Sequence, residues 1–89
     1  MPKKVRNVIG PQVRKIRFQR GLSQAELAVQ VQLAGLDWGR VAVAKVESQI
    51  KKVSDAELFL LARVLKVDLE KLYPSVQAVK EFLSSSPAD

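Results

Sequence analysis

Residues 21–28 of the chain are GLSQAELA, and this stretch decides the fold. Ser23 and Glu26 have the spacing of a capping box, in which the serine hydroxyl and the glutamate carboxylate each accept a hydrogen bond from a backbone N–H at the start of a helix. The spacing therefore predicts a helix that begins at Gln24. The residues at helical spacing on its inward face are Leu27, Val31 and Ala34.

The segment before this stretch has the features of a first helix, from about residue 11 to about residue 20. Gly10 offers a flexible cap, and Pro11 suits the first helical position, where its missing N–H leaves no partner unsatisfied. Gly21 ends the helix because glycine adopts the left-handed backbone of a helix C-terminus without steric cost. The apolar stripe of this helix consists of Ile9, Val13 and Ile16.

A third helix is predicted from about Gly39 or Arg40 to Ser48, with Val43 and Val46 facing inward. Several residues between 41 and 46 are β-branched, so propensity alone leaves a strand open at this point. The helices predicted on either side favour a helix.

A second capping box, at Ser54 and Glu57, predicts a fourth helix that runs to about Lys66. Asp68 then caps a short helix that carries Leu69 and Leu72. The core stripe of the fourth helix is predicted to be Leu58, Leu61, Ala62 and Leu65.

The C-terminal part of the chain has apolar residues that need a covering surface. Residues 75–83 have the spacing of a further helix, and residues 84–89 are expected to be frayed. A helix that is apolar on more than one side must be covered on more than one side. This further helix either completes the core of the monomer or forms a contact with a second copy or another protein. The residues of that candidate face are Phe59, Leu60, Val64, Val79 and Phe82.

Length and charge limit the kind of partner. A chain of 89 residues builds a single core. Its net charge of +6 is unevenly distributed, at +7 for residues 1–20, +1 for residues 21–52 and −2 for residues 53–89. Because a polyanion is bound by a positive face and not by an average, we expect the N-terminal half to face the partner. Solvated lysines at the N-terminus are the alternative.

The composition argues against most enzymes. The chain has no histidine and no cysteine, which removes the commonest general base, the usual zinc ligands and any disulfide framework. We therefore expect no catalytic site, no metal and no cofactor. No apolar run has the length of a signal peptide or a membrane span, so we expect a cytoplasmic protein that does not enter the membrane.

The ordered set of motifs resembles the Cro/repressor-type (XRE-type) helix-turn-helix DNA-binding family. The resemblance is carried by the run from Ile16 to Ala28, the segment VAKVES at 43–48, and the later residues Leu58, Leu61, Ala62, Leu65, Val67 and Leu72. It implies an all-α fold, a compact five-helix lambda-repressor-like domain over residues 9–73. A basic arm at 1–8 would precede this domain. A C-terminal helix and tail at 74–89 would follow it.

The resemblance also implies roles for individual residues. The third helix, at about 39–48, would enter the major groove of double-stranded DNA, and a homodimeric transcriptional repressor is the function implied. Arg17 and Glu47 would form a structural pair. The residues that would face the bases are Arg40, Val41, Ala44 and Lys45. The residues that would contact phosphate are Ser23, Gln24, Ser48, Gln49, Lys51 and Lys52. Capping is the alternative for Ser23 and Gln24. Phosphate contact is the alternative for Arg40 and Lys45, and a solvated surface position is the alternative for Lys51 and Lys52.

The sequence departs from the family in two places. The connection between the second and third helices is longer than usual by more than a helical turn, and we expect Trp38 within it to pack rather than bind DNA. The third helix has few polar side chains, because Val41 and Ala44 cannot form hydrogen bonds with base edges. An alternative function is therefore a protein-interaction module or an antitoxin on the same scaffold, with weak DNA binding or none.

Overall fold

The computed structural model describes residues 5–85, in which five α-helices and one 3₁₀ turn account for all the regular structure. The predicted all-α class is confirmed, and residues 41–46 are helical, so the strand alternative is wrong. The elements are α1 at Gly10–Gln19, α2 at Gln24–Leu33, α3 at Arg40–Glu47, α4 at Asp55–Leu65, the 3₁₀ turn at Leu69–Leu72 and α5 at Val76–Ser85.

Both predicted capping boxes are present. At the start of α2 the Ser23 hydroxyl accepts from the Glu26 N–H at 3.0 Å, and the Ser23 N–H donates to the Glu26 carboxylate at 2.8 Å. Ser54 and Glu57 repeat this arrangement at the start of α4, at 3.1 and 2.8 Å. Each box satisfies two backbone donors that a helix leaves unpaired, which fixes where the two helices begin.

The start of α1 differs from the prediction. The helix begins one residue earlier, at Gly10, so Pro11 occupies its second position and Gly10 is not the cap. The backbone N–H of Gly10 donates to the side-chain oxygen of Asn7 at 2.9 Å. A Cβ atom on Gly10 would meet the carbonyl oxygens of Val46 and Glu47 at the end of α3. Glycine is therefore required here because two backbones approach closely.

The first four helices end in the same way. In each, the chain turns through a residue with positive φ, and two backbone hydrogen bonds close a Schellman motif. Gly21 and Gly35 occupy this position after α1 and α2, with φ of 68° and 112°. Gln49 and Lys66 occupy it after α3 and α4, with φ of 68° and 58°. Two of the four turns therefore place a side chain in a backbone conformation that favours glycine.

The core lies between α1, α2, α3 and α4 and is closed by the 3₁₀ turn. The predicted stripes of α1 and α3 are buried, and Leu58 packs partly against the core. The prediction for Ala34 is wrong: this residue is exposed because α2 has already ended and the chain turns at Gly35. The side chains that are almost fully excluded from solvent are Leu27, Leu61, Leu65, Leu72, Val13, Val31, Val43 and Val46.

The longer connection between α2 and α3 forms a loop and does not extend α2. Leu36 and Trp38 point into the core, at 8% and 3% exposure. The Gln32 amide donates to the Trp38 carbonyl at 2.8 Å, which ties the loop back to α2. The predicted packing of Trp38 is confirmed.

The last helix is the least attached element. α5 buries none of its residues, and its apolar Val76 and Leu83 are 73% and 70% exposed. Phe82 is half-buried beside a shallow cleft that Val8, Val53, Leu58 and Tyr73 also line. α5 therefore covers the edge of the core without completing it.

The C-terminal helix extends further along the chain than predicted. α5 continues to Ser85, two residues past its predicted end, and the hydroxyls of Ser84 and Ser85 donate to the carbonyls of Lys80 and Glu81 one turn earlier. The frayed tail predicted at 84–89 is therefore wrong for these two residues. Residues 1–4 of the predicted arm and residues 86–89 of the predicted tail lie outside the described part of the chain. Within 5–85, no helix combines the length and apolar character needed to cross a bilayer.

Candidate nucleic-acid interface

The outward surface of α3 carries the residues predicted to face DNA bases. Val43 and Val46 are each 1% exposed and anchor the helix to the core, where it packs against α1 and α2. This orientation leaves Arg40, Val41 and Lys45 exposed and Ala44 half-buried. The structure thus brings the four residues to the accessible side of one helix, and their contacts with bases stay predictions.

A buried ion pair fixes α3 against α1. The Arg17 Nε atom lies 2.6 Å from one Glu47 carboxylate oxygen, and a terminal nitrogen of Arg17 lies 3.1 Å from the other. A third bond joins Arg17 to the Leu22 carbonyl at 2.7 Å, and the Phe18 ring lies 4.6 Å from the guanidinium carbon. Both charged residues are more than nine-tenths buried. The bidentate geometry sets the position of α3 relative to the turn between α1 and α2.

The first residue of α2 joins this network, which the sequence did not indicate. The side-chain amide of Gln24 donates to the Glu47 carboxylate at 3.1 Å. An amide nitrogen carries two hydrogens, so Gln24 keeps a second donor for another acceptor. Gln24 therefore links the start of α2 to the end of α3, and its predicted contact with phosphate stays a prediction.

The N-terminus of α2 is open on its outer side. The hydroxyl oxygen of Ser23 accepts the capping bond from the Glu26 N–H, and the Ser23 side chain is exposed. The Ser23 backbone N–H, and secondly its hydroxyl, hold the pKa of the exposed Glu26 carboxyl below its usual value. Glu26 is therefore ionised near neutral pH, and its negative charge lies in the first turn of α2.

Ser48 and Gln49, both predicted to contact phosphate, have partners inside the chain. The Ser48 hydroxyl donates to the Ala44 carbonyl at 2.9 Å. The Gln49 side-chain amide donates to the Asn7 carbonyl at 3.1 Å. Contact with phosphate would use the second amide hydrogen of Gln49, whereas the single hydroxyl hydrogen of Ser48 would have to leave the Ala44 carbonyl, and both contacts stay predictions.

The two lysines of the same loop complete a basic strip. Lys51 is half-buried, with its ammonium 5.8 Å from the centre of the Trp38 ring, and Lys52 is exposed. Glu47 is the one acid between residues 39 and 52, and Arg17 neutralises it. The surface formed by α3 and the following loop therefore presents positive charge without an exposed carboxylate of its own.

Asn7 was not singled out in the sequence, and Gly10 was expected only to be a flexible cap, but both residues join α1 to α3. Asn7 is 6% exposed and bridges α1, the end of α3 and the loop at Lys51, and Gly10 allows the backbones of α1 and α3 to meet. The only sequence signal was an asparagine three residues before a helical glycine, which also suits an ordinary turn.

The predicted contact face on α4 and α5 is only partly exposed. Leu60 and Val64 are half-buried and pack against the core, so within a single copy they are already partly covered. Phe59 is 56% exposed, and the Arg63 guanidinium lies 5.8 Å from its ring. Val79 and Phe82 are half-buried. The most exposed large apolar side chains on α5 are those of Val76 and Leu83, which belong to the same predicted helix.

The family model described as helix-turn-helix matches residues 13–72, a span that begins within α1 and includes α2, α3, α4 and the 3₁₀ turn. The chain belongs to this helix-turn-helix family. The match includes the capping box, the buried Arg17–Glu47 pair and the exposed face of α3. Membership supports a DNA-binding transcription regulator of the XRE type.

Three solved structures resemble this helix-turn-helix domain. The restriction-modification controller protein C.AhdI from Aeromonas hydrophila is 35% identical with a TM-score of 0.62, and the match covers 73% of this chain and 91% of that one. The DNA-binding domain of BldD is 28% identical with a TM-score of 0.67, covering 83% and 100% of the two chains. The hypothetical transcription factor NHTF from Neisseria is 29% identical with a TM-score of 0.66, covering 91% and 90%. No curated protein matches the chain in sequence.

Proposed function

We propose that this helix-turn-helix domain is a sequence-specific transcriptional repressor that binds double-stranded DNA as a homodimer and inserts α3 into the major groove. The observation that carries the proposal is the fixed presentation of α3. The buried Arg17–Glu47 pair and Gln24 hold the helix, and its exposed side carries Arg40 and Lys45. A helix with this support reaches base edges without first losing conformational freedom.

The chemistry of the exposed side chains determines which bases α3 favours. Arg40 and Lys45 donate to O6 and N7 of guanine, and Val41 and Ala44 pack against the methyl group of thymine. No asparagine or glutamine is present on α3 for a bidentate contact with adenine. We therefore expect a site in which guanine and thymine dominate the contacted positions.

The positions around α3 supply contacts with the DNA backbone. Ser23 and Gln24 lie at the N-terminus of α2, where backbone N–H groups and the helix dipole favour a phosphate. Ser48, Gln49, Lys51 and Lys52 follow α3 along the chain. Such contacts supply affinity without sequence information and make binding sensitive to salt.

A dimer would place two copies of α3 about 34 Å apart, one turn of DNA, on an inverted repeat. The surface that supports it is α5, where Val76 and Leu83 are exposed beside half-buried Val79 and Phe82, with Phe59 on α4. The resemblance to Cro/repressor-type proteins favours repression, because a dimer bound at an operator excludes other proteins from it.

Selection of bound duplexes from a random pool, followed by fluorescence anisotropy, tests the proposal. We expect an inverted repeat that binds at least about 10³-fold more tightly than a scrambled duplex at the same salt concentration. Salt-sensitive binding without sequence preference would contradict a specific repressor. The absence of any binding would favour a protein-interaction module.

Substitution at α3 assigns the readout. Arg40→Ala and Lys45→Ala should each weaken binding to the selected site by about 1–3 kcal/mol and relax preference at one base position. Lys71→Ala removes an exposed cation from the 3₁₀ turn, outside α3 and its loop, and is the matched control. If the α3 variants behave like Lys71→Ala, α3 does not read the bases.

A further inference from the structure

The segment before α1 is joined to the end of α3 through Asn7. The Asn7 amide nitrogen donates to the carbonyl of Val46 at 3.0 Å and to the carbonyl of Lys51 at 2.8 Å. Its oxygen accepts from the Gly10 N–H at 2.9 Å. A single buried side chain therefore holds three separate parts of the chain, and both of its amide hydrogens are used.

Gln49 strengthens the same junction from the other side. Its carbonyl accepts from the Arg6 N–H at 2.7 Å, and its side-chain amide donates to the Asn7 carbonyl at 3.1 Å. Gln49 has a φ of 68°, a conformation in which a residue with a side chain persists only when its surroundings hold it. These contacts with the N-terminal segment are part of what holds it.

Lys51 is restrained both at its backbone carbonyl and at its side-chain ammonium. Asn7 binds its carbonyl, and the Trp38 ring lies 5.8 Å from its ammonium. Trp38 belongs to the longer connection between α2 and α3 and is 3% exposed, so the ring is a fixed support. A lysine with its backbone and side chain restrained loses less freedom when it binds a phosphate.

We infer that Asn7 is a positioning residue for DNA binding, which acts with Trp38 to hold Lys51 where it meets the DNA backbone. This inference rests on the proposed function, because it requires that the loop after α3 contacts phosphate. It assigns a DNA-related role to two segments outside α2 and α3, the N-terminal segment and the longer connection. Lys52 is the neighbouring cation whose carbonyl receives no hydrogen bond from Asn7.

A double-mutant cycle on the selected duplex tests the inference. We expect Asn7→Ala to weaken binding several-fold and to lower the slope of log affinity against log salt by about one phosphate contact, 0.9, as Lys51→Ala does. Asn7→Ala should then have no further effect in the Lys51→Ala background, whereas its effect should be fully retained in the Lys52→Ala background. Equal effects in both backgrounds would overturn the inference.

The stability of each variant is followed by thermal unfolding. Ala62→Gly destabilises α4 away from the loop, and we expect it to leave the salt slope unchanged. If Asn7→Ala does not fold, Asn7→Ser replaces it, because serine keeps an oxygen for the Gly10 N–H but does not reach the two carbonyls. A salt slope for the folded Asn7 variant equal to that of the unmodified protein would overturn the positioning role.

The unmodified protein provides a second measurement, since Trp38 is the one tryptophan in the chain. We expect its fluorescence to change when duplex DNA binds, because a phosphate that pairs with Lys51 brings negative charge close to the ring while the ammonium stays beside it, and to change less in Lys51→Ala. A constant signal in the unmodified protein would count against the role of Trp38.

The affinities of the variants distinguish failure of the proposed phosphate contact from failure of the positioning role. If Lys51→Ala and Lys52→Ala both leave affinity unchanged, the proposed phosphate contact fails. If Lys51→Ala weakens binding and Asn7→Ala does not, only the positioning role of Asn7 fails.

Discussion

The region around α3 and the helix α5 show two different ways in which a helix is held. α3 has only eight residues, yet three of them are buried, including the charged Glu47. α5 has ten residues, and none of them is buried. Phe82 of α5 is half-buried and lines the cleft at the edge of the core.

The difference shows that tertiary contacts, and not length, determine how firmly a helix is placed. Isolated helices of these lengths are marginal in water, so each needs a partner surface. α3 finds its partners within the chain, through core packing and the Arg17–Glu47 pair. α5 presents most of its apolar surface outward, which is the arrangement expected of a helix that completes its packing against another molecule.

Among the tests of this comparison, removal of the buried Arg17–Glu47 pair should have the largest effect on stability. We expect Arg17→Ala to reduce the free energy of unfolding by about 3–5 kcal/mol, because the Glu47 carboxylate remains buried without its cation. Urea unfolding followed by circular dichroism measures the change. The double variant Arg17→Ala/Glu47→Ala should lose less than the sum of the two single variants, since it leaves no unpaired charge. A loss below about 1 kcal/mol for Arg17→Ala would mean that the pair does not anchor α3.

A smaller effect is expected where α1 meets α3. The Cβ of Gly10→Ala would lie 2.8 Å from the Glu47 carbonyl oxygen and also meet that of Val46, so one backbone must move. We expect a loss of about 1–3 kcal/mol in unfolding free energy. Gly39→Ala is the control, because nothing lies within 4 Å of its Cβ position, and it should stay within about 0.5 kcal/mol of the unmodified protein. Equal stability of the two variants would show that α1 and α3 are not closely packed.

The elements that the sequence predicted well depend on local chemistry. The capping boxes at Ser23 and Ser54 need residues only three positions apart, and apolar periodicity reports which side of a helix faces the core. Asn7 could not be found in this way, since its two carbonyl partners are 39 and 44 residues away. The orientation of Leu60 and Val64 likewise depends on how α4 lies against its neighbours. The sequence therefore predicts elements and faces better than contacts between distant segments.

The ends of α3 and α4 offer a test in which a substitution should stabilise the protein. Lys66 has a φ of 58°, so Lys66→Gly should raise the unfolding free energy by about 0.5–1 kcal/mol, the left-handed cost less the entropy of glycine. Gln49→Gly relieves a similar conformation but loses the side-chain bond to the Asn7 carbonyl, worth about 1 kcal/mol. We therefore expect little net change for Gln49→Gly. A larger gain at Gln49 than at Lys66 in parallel urea titrations would contradict the view that side-chain contacts hold the end of α3.

The smallest effect on a single copy is expected at α5. Val76 and Leu83 are mostly exposed, so Val76→Ser/Leu83→Ser should change the unfolding free energy of the monomer by less than about 0.5 kcal/mol. If α5 forms the dimer, the unmodified protein should melt at a temperature that rises with protein concentration, and the double variant should lose this dependence. Sedimentation equilibrium should then give a dimer for the unmodified protein and a monomer for the variant. Gln77→Ser/Glu81→Ser, on the polar side of the same helix, should preserve the dimer. A dimer that survives the apolar substitutions but not the polar ones would place the contact on the polar side of α5. The exposed apolar residues of α5 would then not be a surface for a second copy, and this contrast with α3 would fail.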